Sequence, residues 1–120
     1  MKASVALILK DDRILLGLST SPDARFGKWC FVGGMIDPGE SPFEAVVREA
    51  REEAHVIVTA RLGEAYKVDE KPEIAYIICD YQKGMPIPND EFKELGWFNI
   101  HKLPINMLEL NSRIIANLLK

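Results

Sequence analysis

Three glutamates, Glu49, Glu52 and Glu53, crowd one short stretch of this 120-residue chain, Gly33 to Val56 (GGMIDPGESPFEAVVREAREEAHV), and constrain it more than any other feature. From Ser41 onward the stretch carries the signals that open a helix. Ser41 is a suitable N-cap, Pro42 fits the first helical position, and Glu44 lies three residues past the cap to close a capping box. At about 100° per residue the three glutamates share an arc of roughly 100°. Phe43, Val47, Ala50 and Ala54 gather on another face, which is read as the buried one. Like charges spaced one turn apart repel by a few tenths of a kcal/mol per pair, and Arg48 and Arg51, to the side, offset only part of that. A helix that tolerates this crowding is expected to hold a cation, and an all-oxygen donor set is what Mg²⁺ or Mn²⁺ prefers. Gly33-Gly34 and Pro38-Gly39 ahead of it permit sharp turns and close backbone approach. The stretch therefore reads as loop, helix, loop, with metal ligands facing a cavity.

The spacing Gly34-x5-Glu40-x7-Arg48-Glu49-Ala50-x-Glu52-Glu53 resembles the Nudix box of pyrophosphohydrolases. At about 6% per residue type, six such identities at fixed spacing arise by chance roughly once in 10⁷ windows. Two positions depart from the family pattern: His55 stands where a glycine is usual, and Val32 where a proline precedes Gly-Gly. Val56 fits the closing apolar position. His55 falls where the helix is expected to end in a left-handed residue, at a cost of about 1 kcal/mol relative to glycine.

The resemblance implies hydrolysis of a nucleoside diphosphate linked to a further group, X, by in-line attack of water at phosphorus, with divalent cations neutralising the phosphate charge. Carried over residue by residue, Glu49, Glu52, Glu53 and the backbone carbonyl of Gly33 would ligate Mg²⁺ or Mn²⁺. Arg48 would orient them, and Glu40 would support the loop. Family members often add an acid from a distant loop, for which Glu91 is preferred over Glu94; both precede Trp97. The catalytic set expected is thus Glu53, Glu52, Arg48 and Glu91. On the substrate side stand Gly34, Glu40 and the entry residues Arg25, Lys28 and Trp29, the charged pair placed to meet phosphates. Among Trp29, Phe31, Tyr66, Tyr76 and Trp97, at most one is expected to stack a base. His55 is read as a helix-ending residue and His101 as a solvent-facing turn residue.

Pro72 lies 16 residues beyond Val56, a spacing that resembles the mark of ADP-ribose-cleaving members, although Lys71-Pro72-Glu73 reads equally well as a turn. The compact length, the want of an extra N-terminal region, and Val32, which resembles some oxidised-purine triphosphatases, favour a nucleoside triphosphate cleaved to monophosphate and pyrophosphate. ADP-ribose or a nucleotide sugar is the alternative substrate. A nucleotide sensor without catalysis is the alternative of another class.

Composition sets outer bounds. With 48% apolar and 28% charged residues, the chain has the makings of one soluble globular domain spanning 1–120. A net charge of -3 gives no nucleic-acid footprint, so the expected partner is a small nucleotide rather than a nucleic acid polymer. Cys30 and Cys79 share no metal-binding spacing and are expected to be buried thiols. With no leader and no apolar run near 18 residues, no membrane association is expected, and a cytoplasmic setting follows. A homodimer is open.

Strand patterns occur at Ala3–Leu9 and Arg13–Ser19 as a hairpin, then at Trp29–Val32, Ile57–Leu62, Ala65–Val68, Ile74–Asp80 and Leu95–Ile100. Tyr81–Asp90 reads as a loop suited to substrate contacts. A last helix is expected over Glu109–Leu119, opened by Asn111 or Ser112 as cap. The fold class is therefore α/β: a mixed sheet with one helix on each face, which is the α/β/α sandwich implied by the resemblance.

Overall fold

The computed structural model describes residues 1–119. Seven strands and two helices follow in the order β1 (Ala3–Lys10), β2 (Arg13–Ser19), β3 (Trp29–Cys30), β4 (Val32–Met35), α1 (Pro42–Ala54), β5 (Val56–Val68), β6 (Lys71–Gly84), β7 (Phe92–Asn99) and α2 (Glu109–Leu119). The sheet is mixed. β1 runs parallel to β6, and the pairs β1/β2, β1/β4, β2/β3, β2/β7 and β5/β6 are antiparallel.

The β1–β2 hairpin pairs only at its closed end, Leu9 with Ile14 and Lys10 with Arg13, and then splays. Residues 29–35 fill the wedge so opened. β3 pairs with β2 through Gly17 and Leu18, and β4 pairs with β1 from Ala3 to Ala6. This places Gly33-Gly34 inside the sheet, where the sequence suggested a strand leading into a turn.

Alternation along the strands sends side chains to two separate cores. Ala6, Ile8, Leu15, Ala75, Ile77 and Cys79 pack with Val46, Ala50 and Ala54 of α1. Leu7, Ile14, Leu16 and Tyr76 pack with Ile114 and Ile115 of α2 on the opposite face. The expected sandwich is present, and both cysteines are buried free thiols. No helix among the described residues is long and apolar enough to cross a membrane.

Several expected boundaries shift. Ile57–Leu62 and Ala65–Val68 form one strand, β5, whose register slips between Ala60 and Ala65. β6 runs from Lys71 to Gly84, so Pro72 is its second residue and the turn shrinks to Asp69-Glu70. A proline is tolerated there because it lies at the start of the strand. β7 begins at Phe92 rather than Leu95. Asn111 and Ser112 lie within the first turn of α2, which starts at Glu109, so neither is its cap.

At α1 the expected capping box forms in both directions: Ser41 Oγ accepts from the Glu44 N–H at 3.1 Å, and the Glu44 carboxylate accepts from the Ser41 N–H at 2.8 Å. The buried stripe is Ala45, Val46, Glu49, Ala50 and Ala54; Phe43 and Val47, expected inside, are only half-buried. The helix ends at His55, which adopts the left-handed conformation (φ 59°, ψ 32°) and returns its N–H to Ala50 and Arg51 carbonyls. His55→Gly is expected to raise the unfolding free energy by about 1 kcal/mol, because glycine enters this region without a Cβ penalty. Denaturant unfolding of the two proteins checks this, and an unchanged or lower midpoint would contradict it.

Candidate active site

The carboxylates of α1 meet the sheet at the wedge. Gly34 lies beneath Glu49: a Cβ on Gly34 would come within 2.8 Å of the Glu49 carboxyl carbon, so any other residue would make that carboxyl shift from its place. Gly33 is as tightly placed, its notional Cβ 2.6 Å from the Ser4 carbonyl oxygen of β1. Its N–H donates to Glu53 Oε1 at 3.0 Å, tying the end of α1 to β4. The Gly-Gly pair thus supplies the close approach read from the sequence, and Gly34 serves by lacking a side chain.

Arg48 organises the outer side of the cluster. Its Nε donates to Glu40 at 2.9 Å, one terminal nitrogen donates to Glu49 at 2.8 Å and Glu52 at 3.1 Å, and the other reaches the Met35 carbonyl oxygen at 3.0 Å. Asp37 completes an acidic ring around it at 3.3 Å. The Glu40 carboxylate also accepts the Asp37 N–H, and these two contacts hold it below the usual carboxylate range, Arg48 most of all. Glu40 therefore braces the loop before α1 through Arg48.

The three helix glutamates stand in unlike environments. Glu49 is 9% exposed, and burial raises its pKa more than the Arg48 contact lowers it. The Glu52 side chain is 59% exposed and rests on Arg48. Glu53 is half-buried and is pushed up to about 9, first by burial and then by a hydrogen bond with the carboxyl of Glu91. No three His, Cys, Asp or Glu side chains among the described residues converge on one point. Glu53 and Glu91 face each other, with Glu49 close enough to act on Glu53 electrostatically and Glu52 turned to the outside.

Of the two rival distal acids, the fold brings Glu91 to the helix glutamates. Glu94 lies in β7 opposite Leu18 and is exposed. Glu91 is carried by the short loop between β6 and β7, and its carbonyl accepts the Thr20 N–H at 3.0 Å. Asn89, which nothing in the sequence pattern singled out, donates from its side-chain amide to the Glu53 carbonyl and accepts the Glu91 N–H.

The entry residues are placed differently. Arg25 is paired with Asp23 at 2.7 Å in an exposed loop and feels the Glu91 charge from there. Lys28 is half-buried beside β3, its carbonyl accepting the Ser19 N–H. Trp29 projects to the other face of the sheet, its ring 4.8 Å from that of Phe98 in the core beneath α2. A period-two strand sends Trp29 and Cys30 to opposite faces, and Cys30 takes the α1 side. Phe31, Tyr66 and Tyr76 share the face of Trp29, whereas Trp97 lies on the α1 face against Tyr81, at 5.2 Å between ring centroids.

A model of the NUDIX domain matches residues 1–118. The chain is 32% identical over 103 residues to the NAD-capped RNA hydrolase NudC of Pseudomonas putida, an alignment that covers 83% of this chain and 37% of that protein. It is 28% identical over 111 residues to the oxidized purine nucleoside triphosphate hydrolase of Danio rerio, covering 88% of this chain and 70% of the relative. The chain thus spans little more than a third of the length of the NAD-capped RNA hydrolase. The crystal structure of a MutT NUDIX hydrolase from Burkholderia pseudomallei superimposes with a TM-score of 0.73 at 27% identity, covering 98% of this chain and 96% of that one. With the domain matched from end to end and the box seated where the sheet opens, the chain belongs to the Nudix hydrolase family.

Proposed function

We propose that this chain hydrolyses the pyrophosphate linkage of a small nucleotide with Mg²⁺ or Mn²⁺, and that its substrate is a nucleoside triphosphate, released as monophosphate and pyrophosphate. The observation that carries the reading is the meeting of Glu53 with Glu91, a half-buried and an exposed carboxyl from separate elements, beside Glu49. Carboxyls driven together at a cost in protonation are suited to a divalent cation, and hard oxygen donors fit Mg²⁺ or Mn²⁺ better than softer metals. Glu49, Glu53, Glu91 and the Gly33 carbonyl are the donors assigned to it, with Glu52 joining from Arg48. Such a cation, when bound, neutralises the diphosphate charge and lowers the pKa of the attacking water.

The chain's own groups do the rest. Arg48, anchored on Glu40 and the Met35 carbonyl, holds Glu49 and Glu52 at the mouth of the site. The ionised member of the Glu53/Glu91 pair accepts a proton at its carboxylate oxygen as water attacks phosphorus. Arg25 and Lys28, on the loop leading into β3, are assigned to the phosphates. Trp29, packed under α2, is left to the core.

A second reading, cleavage of a pyrophosphate that joins two nucleosides or a nucleoside and a sugar, is favoured by the likeness to the NAD-capped RNA hydrolase. Incubation with Mg²⁺ and a panel of nucleoside triphosphates, ADP-ribose, nucleotide sugars and NAD, with identification of products, separates the two. Monophosphate with pyrophosphate supports the first. Monophosphate with a sugar phosphate or a second nucleotide supports the other, and binding without turnover would make the protein a sensor.

Three outcomes are expected. Glu53→Gln cuts kcat by orders of magnitude while circular dichroism shows the fold intact; retained activity would contradict the assigned roles. Glu91→Gln lowers kcat far more than Glu94→Gln, measured side by side on the same substrate. The third concerns pH. Glu53 has a folded pKa near 9 against an ordinary value near 4.5, so between these the folded state keeps a proton that the unfolded state loses. Stability of the protein in chelator should therefore fall as pH rises from 5 to 8. The lowered carboxylates Asp23, Glu40, Glu70 and Asp80 add a small slope of opposite sign near pH 5, common to wild type and variant, and none above it. Thermal melts of wild type and Glu53→Gln check this, the variant giving the flatter profile; parallel profiles would contradict it.

A further inference from the structure

The loop that delivers Glu91 is fastened on two sides by side chains outside the Nudix box. On one side Asn89 bridges to α1. Its amide Nδ2 donates to the Glu53 carbonyl, an oxygen that the end of the helix leaves without an intrahelical donor. The Oδ1 of the same side chain accepts the N–H of Glu91 at 2.9 Å and of Phe92 at 3.1 Å, and the Asn89 N–H returns to the Phe92 carbonyl at 2.9 Å. One asparagine thus spans the two strands of backbone that carry the facing carboxyls. On the other side Thr20, just past β2, donates its N–H to the Glu91 carbonyl at 3.0 Å and its hydroxyl to the Asp90 carbonyl.

We propose that Asn89 is a positioning residue for the reaction, setting the separation of the Glu53 and Glu91 carboxyls by clamping the backbone of both. The inference rests on the functional reading above, in which those carboxyls hold the cation. The chemistry of the clamp needs an asparagine. It calls for a donor toward Glu53 and an acceptor toward Glu91 on one planar group; aspartate has no donor, alanine has neither, and serine, which has both, is too short to span them. Asn89→Asp keeps the acceptor and loses the donor, placing an oxygen against the Glu53 carbonyl. Asn89→Ser can keep a turn within the loop and loses the reach to α1. Neither change removes a hydrogen bond within α1 or between strands of the sheet.

The test measures three quantities on wild type, Asn89→Asp, Asn89→Ser, Glu91→Gln and the double variant Asn89→Asp/Glu91→Gln: Mn²⁺ affinity without substrate by electron paramagnetic resonance, kcat and KM on the cleaved substrate, and the thermal midpoint. Both Asn89 variants are expected to bind Mn²⁺ about 10–100-fold more weakly. Their kcat should fall by a similar factor with KM little changed. In the Glu91→Gln background, Asn89→Asp should lower kcat little further, since its effect runs through Glu91. A residue that only stabilises the loop would instead lower the midpoint, leave Mn²⁺ affinity alone and add its loss to that of Glu91→Gln; that pattern overturns the proposal. If wild type binds Mn²⁺ but cleaves none of the nucleotides offered, the substrate reading fails, and the Mn²⁺ affinities alone decide the role of Asn89. If wild type binds no Mn²⁺, the functional reading fails and the clamp has no cation to serve.

Discussion

The architecture turns on one contact between a side-chain carboxyl and the backbone, Glu53 Oε1 accepting the Gly33 N–H at 3.0 Å. A carboxyl withdrawn from water is unfavourable as an anion unless hydrogen bonds or counter-charges compensate. Here the single N–H is outweighed by burial and by the neighbouring Glu91, and the group is held in its protonated range. What keeps the arrangement in place is therefore the surrounding fold. The hairpin of β1 and β2 opens to admit Gly33-Gly34, the capping box fixes where α1 begins, and Val46, Ala50 and Ala54 press the helix onto β1, β5 and β6. Packing in this way brings acidic side chains together on the α1 face of the sheet, and the proposed cation would relieve their mutual repulsion.

Arg48 is the counterpart on the solvent side. Its guanidinium satisfies Glu40, Glu49 and Glu52 together with a backbone carbonyl, and so holds an acidic ring together that would otherwise spread. The two faces differ in consequence. Glu49 and Glu53 are fixed by burial, whereas Glu52 is more than half exposed and can change partners with little loss, since an exposed ion pair contributes at most about 1 kcal/mol. The inner two carboxyls are thus held by packing, and the outer one by a solvent-exposed ion pair.

Much of this was legible in the sequence, and the failures have physical causes. Cap, first-turn proline and left-handed C-terminus of α1 were readable because each is a local backbone requirement with its own residue preference. The inward face of α1 was misjudged because it was read as Phe43, Val47, Ala50 and Ala54, apart from the face of the glutamates. Ala45, Val46, Glu49, Ala50, Glu53 and Ala54 form one continuous stripe, so the Glu49 and Glu53 carboxyls lie within the packed side of the helix rather than across from it. Trp29 was read as a substrate neighbour because an aromatic there could stack a base, and alternation along β3 sends it under α2. Asn89 was missed altogether. Its partners lie on separate elements, and a hydrogen bond across 36 residues leaves no period or local motif to read.

The account is tested most directly by a crystal structure of the protein grown with Mn²⁺ and a non-hydrolysable nucleoside triphosphate, with data collected at the manganese edge. Anomalous density is expected in the wedge, bounded by the Glu53, Glu49 and Glu91 carboxylates and the Gly33 carbonyl, with the phosphates of the nucleotide against it. Manganese held by the nucleotide alone, or bound elsewhere on the surface with those carboxylates still turned to Arg48 and to each other, would contradict it.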